Sequence, residues 1–264
     1  MLLYDNQPLK YANYNINAVV NIIEKSPEEK ISEIIPVKEF SDNEYLVMVT
    51  KNGVIKKTPA SEYESIRKSG KIAITLKEGD ELISIFKTTG NDNIFLATRN
   101  GMAICFNEND ARAVGRTASG VKAIDLADGD YVVGAEPVRE DSKVLLVTDG
   151  GYGKCTDLTS FRIQHRGGKG LKAYKITEKT GNIIGISMVN DSEELIMVTS
   201  EGVVIRIRIK DIATTTGRIT QGVRLINLND GVIVVSMDKI SAEDTVEEES
   251  EENNTEVTAE TTEE

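Results

Sequence analysis

Four stretches of this chain repeat one pattern at a nearly constant interval, which restricts the fold to an array of similar units. The stretches are YLVMVTKNGVIKKT (45–58), IFLATRNGMAICFN (94–107), VLLVTDGGYGKCTD (144–157) and LIMVTSEGVVIRIR (195–208). Each is an apolar run, a Thr, two turn residues and a Gly, then a second run. The glycines Gly53, Gly101, Gly151 and Gly202 stand 48, 50 and 51 residues apart. Asn52-Gly53 and Asn100-Gly101 are strong hairpin signals, because a tight two-residue hairpin needs positive φ. A second glycine follows each hairpin and opens another alternating run: GKIAITL (70–76), GVKAIDL (120–126), GLKAYKI (170–176) and GVRLINL (222–228). After an acidic or Gly turn, a last apolar run ends the unit: ELISIF (81–86), YVVGAEPV (131–138), IIGISMV (183–189) and VIVVSM (232–237).

Each unit therefore reads as about four strands in about 50 residues, with no long stretch of helical period. The pattern predicts an all-β fold of propeller-like blades, with a β-sandwich or a pair of barrels as the alternative. Residues 17–23 (NAVVNII) and 31–37 (ISEIIPV) match only the second half of a unit, so the expectation is four whole blades preceded by half of another in residues 1–240. Such a half unit leaves a sheet edge unpaired.

The net charge of -12 hides a sharp division. Residues 241–264 hold 11 Asp or Glu and no Lys or Arg, which leaves 32 acids against 31 bases in the body. So charged and apolar-poor a tail cannot offset its ordering entropy and is expected to be disordered.

Cations recur at fixed places in the repeat. Arg116, Arg166 and Arg218 each stand four residues before the second glycine, and Lys122, Lys172 and Arg224 each stand two residues after it. The first whole unit departs from this, with Arg67, Lys68 and Lys71 around Gly70. In VVIRIRIK (203–210), Arg206, Arg208 and Lys210 alternate with Ile205, Ile207 and Ile209, so cations and isoleucines fall on opposite faces. One exposed cation only aids solubility. The same cation at the same height in successive blades forms a charged rim, and a curved cationic rim suits bent duplex DNA, whose phosphates give sequence-independent affinity. Aromatic residues are only 5% with no Trp, which disfavours the base-stacking platforms of single-strand binders.

Other chemistry finds little support. Cys105 and Cys155 occupy equivalent places in neighbouring units, too far apart to bond, and the one histidine, His165, cannot complete a zinc set with them. No Walker-type phosphate loop is present and no run approaches a membrane span, so no cofactor, metal or membrane partner is expected.

These blocks resemble the C-terminal β-pinwheel domain of DNA gyrase A. The resemblance rests on VTKNGVIKKTPASEYESIRKSGKIAITLKEGDELI, LATRNGMAICF with GRTASGVKAIDLADGD, VTDGGYGKCTDLTSFRIQHRGGKGLKAYKITEKTGNIIG, and TQGVRLINL, covers residues 17–240, and extends to the acidic tail. It implies a cytoplasmic, nucleoid-associated module that wraps double-stranded DNA and supports negative supercoiling by a holoenzyme of gyrase A and gyrase B. Cleavage and ATP hydrolysis belong to other domains, so no catalytic residue is assigned here. The family's diagnostic box is a Gln-Arg-Arg-Gly-Gly-Arg/Lys-Gly loop in its first blade. Here QHRGGKG (Gln164, His165, Arg166, Gly167, Gly168, Lys169, Gly170) is a degenerate copy in a later blade. The resemblance implies that the first blade is absent, that the second begins partway, and that such a chain wraps DNA poorly. The corresponding C-terminal domain of topoisomerase IV is the alternative identity, and a non-enzymatic propeller scaffold is a third.

Overall fold

In the computed structural model, residues 35, 37, 40–65 and 70–240 are described. The N-terminal half unit falls outside them apart from Ile35 and Val37, which pack against the first blade, and so do the acidic tail, Arg67 and Lys68.

Unit I supplies β1 (Tyr45–Thr50), β2 (Val54–Pro59) and β3 (Leu82–Thr88). Unit II supplies β4 (Asn93–Thr98), β5 (Met102–Asn107), β6 (Val121–Lys122) and β7 (Val132–Pro137). Unit III supplies β8 (Lys143–Thr148), β9 (Tyr152–Asp157), β10 (Leu171–Lys172) and β11 (Ile183–Val189). Unit IV supplies β12 (Glu194–Thr199), β13 (Val204–Arg208), β14 (Thr214–Thr215), β15 (Val223–Arg224) and β16 (Val234–Ile240). The only helical turns among the described residues are four short 3-10 segments, one after each hairpin.

The hairpins form where the glycines place them. Gly53, Gly101, Gly151 and Gly202 have φ of 77°, 87°, 76° and 80°. The repeated threonine completes the turn. The hydroxyl oxygens of Thr50, Thr98, Thr148 and Thr199 accept the amide four residues on at 3.2, 3.2, 3.2 and 3.1 Å. All four threonines are buried, and this bond satisfies an amide that the turn would otherwise leave unpaired.

Each sheet takes its central strand and second strand from the hairpin and a third from the last run of the same unit. The fourth comes from elsewhere. β6 of unit II pairs with β2 of unit I, β10 of unit III with β5 of unit II, and β15 of unit IV with β9 of unit III. The four runs of each unit are present as the sequence pattern predicts, and the run after the second glycine is donated to the preceding blade. Blades I to III are completed in this way, and blade IV has three strands among the described residues.

Three of the four core clusters lie between blades, and the fourth packs Leu46, Met48, Tyr63, Ala73 and Ile85 of blade I against Val37. One cluster joins Val47, Val49 and Ile55 to Ile94, Leu96, Ile104 and Phe106 of the next hairpin, with Ala123 and Ile124 beside the donated strand. A second joins blades II and III, where Phe95 and Phe161 meet edge to face at 4.8 Å, and a third joins III and IV. Central strands such as YLVMVT are therefore buried on both faces and read as continuous apolar runs. Truncating one of these residues to Ala costs about 2–5 kcal/mol.

Candidate nucleic-acid interface

The donated strands carry the recurring cations outward. In each, the residue after the glycine and the cation that follows it face opposite ways, because the period is two. Lys122, Lys172 and Arg224 are exposed and stand opposite Val54, Met102 and Tyr152 at the start of the acceptor strand. Lys122 bonds Asp125 at 2.8 Å, and its ammonium holds that carboxyl below its ordinary pKa. Arg224 reaches the Tyr152 hydroxyl at 3.1 and 2.9 Å, and holds that phenol below its usual value. Lys172 and the neighbouring Lys169 are exposed and make no side-chain hydrogen bond or ion pair among the described residues.

The arginines four residues before the glycines do something that their spacing did not reveal. The guanidinium of Arg116 donates to the Ile72 carbonyl at 3.3 Å, that of Arg166 to the Lys122 carbonyl at 2.9 Å, and that of Arg218 to the Lys172 carbonyl at 3.1 Å. In every case the acceptor is the residue two past the glycine in the preceding unit. These side chains are half-buried latches between successive donor segments. A parallel set of amide bonds accompanies them: Thr75 to the Ala118 carbonyl, Asp125 to that of Gly168, and Lys175 to that of Thr220.

The glycine-rich loop is fitted into the same joint. The Gly167 amide donates to the Ala123 carbonyl at 2.6 Å, and a Cβ on Gly170 would lie 2.4 Å from the Ala103 carbonyl oxygen. His165 lies on the surface with Nδ1 at 3.2 Å from Asp110. The backbone amide of Gln164 bonds the Cys105 carbonyl, while its side-chain nitrogen is buried without a partner.

The remaining sequence-predicted cations are less uniform. Lys71 is half-buried and reaches the Glu62 carbonyl at 3.4 Å. On β13 the expected alternation holds, with Arg206 and Arg208 outward, but Arg206 pairs with Glu194 and Arg208 with Asp211 at 2.8 Å. Arg67 and Lys68 lie outside the described residues.

Sequence reasoning missed three buried lysines. Lys56 donates to the Ala73 carbonyl at 2.8 Å and Lys154 to the carbonyls of Gly217 and Arg218 at 3.4 and 2.5 Å. Burial pushes both amines down to about 8. Lys57 meets Glu108 at 3.0 Å, and Glu108 also accepts from the Thr88 hydroxyl and the amides of Gly90 and Asp92. The hint in the sequence is a Lys three residues past the hairpin glycine, at Lys56 and Lys154, where units II and IV carry Ile104 and Ile205.

Cys105 and Cys155 are both free and buried, and burial pushes each thiol up to about 11. Among the described residues no three His, Cys, Asp or Glu side chains gather as a metal requires, and no helix is long and apolar enough to cross a membrane.

Comparison with known proteins follows the same geometry. The family model described as the DNA gyrase C-terminal domain, beta-propeller, matches residues 44–89, 92–139, 142–190 and 193–241, one match to each unit. The chain is 49% identical over 226 residues to DNA gyrase A of Clostridium acetobutylicum, covering 86% of this chain and 27% of that one. It is 54% identical, with the same coverage, to DNA gyrase A of Halalkalibacterium halodurans. The chain thus spans about a quarter of the length of these relatives. Among solved structures, the C-terminal domain of DNA topoisomerase IV superposes with TM-score 0.81 at 29% identity, covering 90% of this chain and 74% of that one. The C-terminal domain of DNA gyrase A gives 0.75 at 25% identity, covering 88% and 76%.

Proposed function

Since the chain belongs to the family of DNA gyrase C-terminal domains, we propose that it holds double-stranded DNA along the outer rim of its blades. The observation that carries this reading is the outward cation two residues past the second glycine in three successive units, at Lys122, Lys172 and Arg224. Lys169 adds an exposed ammonium beside them. Successive donor strands are tied to one another by Arg116, Arg166 and Arg218, so the rim is a fixed series of charges rather than a set of independent side chains. A duplex that follows the series bends, at a cost of several kcal/mol that additional phosphate contacts offset.

The work of the rim is to present a curved segment of DNA to the gyrase A and gyrase B machinery in the cytoplasm, which cleaves strands and hydrolyses ATP with other domains. The relatives named as gyrase favour that assignment over topoisomerase IV, whose domain is a neighbour in structure. The QHRGGKG loop serves as a joint between donor segments, and the expected consequence is binding with modest wrapping.

Duplex binding measured against salt concentration tests the reading. A steep linear fall of log affinity with log salt is expected. Affinity that does not change with salt, or preference for single strands, overturns it. A topology assay on relaxed closed circular DNA then reads the sign and extent of wrapping.

A further inference from the structure

The three junctions between blades are not alike in charge. Two and five residues past the second glycine, the donated segments carry Lys122 and Asp125, then Lys172 and Lys175, then Arg224 and Asn227. At the first junction Asp125 neutralises Lys122 at 2.8 Å. At the third the same place holds an amide, and the Asn227 oxygen accepts from Arg224 Nη1 at 2.9 Å without cancelling its charge. The acceptor strands differ as well. Arg224 stands opposite Tyr152, where the other two cations stand opposite Val54 and Met102.

Tyr152 is fixed at both ends. Its amide donates to the Thr148 hydroxyl and its carbonyl accepts from it, each at 3.2 Å. Its phenol oxygen accepts from Arg224 Nε at 3.1 Å and Nη2 at 2.9 Å. Lys179, in the turn before β11, puts its ammonium 5.6 Å from the same ring, with the Arg224 guanidinium at 5.5 Å. Tyr152 is only 7% exposed, while the two cations that lie over it are exposed to solvent. Neither cation is ion-paired among the described residues. The charged groups that act on the phenol are these two, Arg224 first through its hydrogen bonds, and both ease its ionisation with no carboxylate opposing them.

Two positive groups over one hydroxyl repel each other, and an anion placed between them removes that repulsion. The donors left over define the anion. The hydroxyl spends its lone pairs on Arg224, so its own hydrogen is turned away, and it donates to no acceptor among the described residues. Three of the five guanidinium N–H groups are engaged, which leaves two. An O–H, two N–H groups and an ammonium therefore converge, a set that suits the oxygens of a phosphate. We propose that Tyr152, Lys179 and Arg224 form a phosphate site that pins one backbone phosphodiester of the duplex at the junction of blades III and IV; the inference rests on the duplex-binding reading above. A duplex phosphate is favoured over a free one by the path that leads away from the site. Arg218 and the Lys175 amide tie this segment to the one that carries Lys169, Lys172 and Lys175, all exposed, so a polyanion held here meets further cations. The donors are oriented before the ligand arrives, which lowers the cost of binding.

The test is duplex titration of the 264-residue chain at several salt concentrations, with melting temperatures measured alongside. Tyr152→Phe removes a donor but no charge. It should weaken binding about fivefold, with the salt slope and the melting temperature unchanged. Lys179→Gln should weaken binding about as much and lower the slope by about one. Lys77→Gln is the comparison, because Lys77 is also exposed and also stands two residues before a turn glycine, in a unit with Val54 at the place of Tyr152. It should weaken binding less than about twofold. If Tyr152→Phe and Lys179→Gln bind as Lys77→Gln does, the site is overturned and the duplex reading stands. No duplex binding by the unmodified chain overturns both. A melting temperature that falls in step with affinity in Tyr152→Phe makes the tyrosine structural and overturns the site. Calorimetry with inorganic phosphate at constant ionic strength separates the two sources of the anion. Binding heat that Tyr152→Phe abolishes, with duplex affinity unmoved, assigns the trio to free phosphate and overturns the proposal.

Discussion

Blades III and IV begin from the same hairpin plan yet differ in what becomes of the second strand. Both have the buried threonine, the glycine with positive φ and the same turn bonds. In blade III the strand β9 is buried along nearly its whole length, because β15 and β14 of the next unit lie on it. In blade IV the strand β13 lacks such cover among the described residues and alternates outward and inward. The burial of a strand here is a property of the junction with the following unit. The sequences answer to it: YGKCT carries a small Gly153 beneath Leu225 and an enclosed Lys154, whereas VIRIR carries charges on its open face.

The glycines break the comparison most strongly. In Gly170→Ala the new Cβ would meet the Ala103 carbonyl oxygen at 2.4 Å with φ at 73°, so the donor strand must shift; a loss of about 4 kcal/mol is expected. In Gly202→Ala only the positive φ opposes the change, and a loss of about 1 kcal/mol is expected. Urea unfolding midpoints of the two variants check the difference, and equal losses would show that the junction does not discriminate.

Glu108→Ala tests the joint between blades I and II. It leaves Lys57 buried without its carboxylate and removes the acceptor of two amides, so about 3 kcal/mol should be lost by the same measurement. Blade IV has the exposed Arg206 where blade I has the buried Lys57 and should tolerate polar changes there far better.

A pH series sharpens the contrast further. Unfolded lysine holds its proton up to about 10.5, while Lys56 and Lys154 in the fold release theirs near about 8. Between those values the unfolded chain binds more protons, so the contribution of these two groups to stability rises with pH from about 8. Above pH of about 9 Cys105 and Cys155 oppose it, since burial pushes their thiols up to about 11 and the unfolded thiols ionise first, and above about 10 Tyr63 adds to them with its phenol pushed up to about 12. Lys154→Met should flatten the rise measured by thermal unfolding between those limits, with no corresponding effect from substitution of Lys210 on the exposed face.

The smallest expected effect separates binding from joining. Lys172→Ala should weaken duplex affinity by about 1 kcal/mol and reduce the salt slope by about one, with the melting temperature unchanged. Arg218→Ala should lower both affinity and melting temperature, because it also releases the Lys172 carbonyl. A melting temperature unmoved by Arg218→Ala would show that the latch contributes nothing.

Much of this was legible before any coordinates. The fixed interval of hairpin glycines, the continuous apolar central strands and the alternating runs after the second glycine determined an array of β-blades, and the family blocks carried the same reading. The places of Lys122, Lys172 and Arg224 two residues past a glycine determined that they would share one orientation, since a strand turns each side chain through half a revolution. What the chain could not disclose is which blade each donated strand joins. GVKAIDL has the same period whether it pairs with its own hairpin or the preceding one, and hydrogen bonding between main chains leaves no mark on side-chain pattern. The latching by Arg116, Arg166 and Arg218 is hidden for the same reason, because their acceptors are carbonyl oxygens that every residue possesses. Tertiary structure alone decided those partners, and with them which strand is buried.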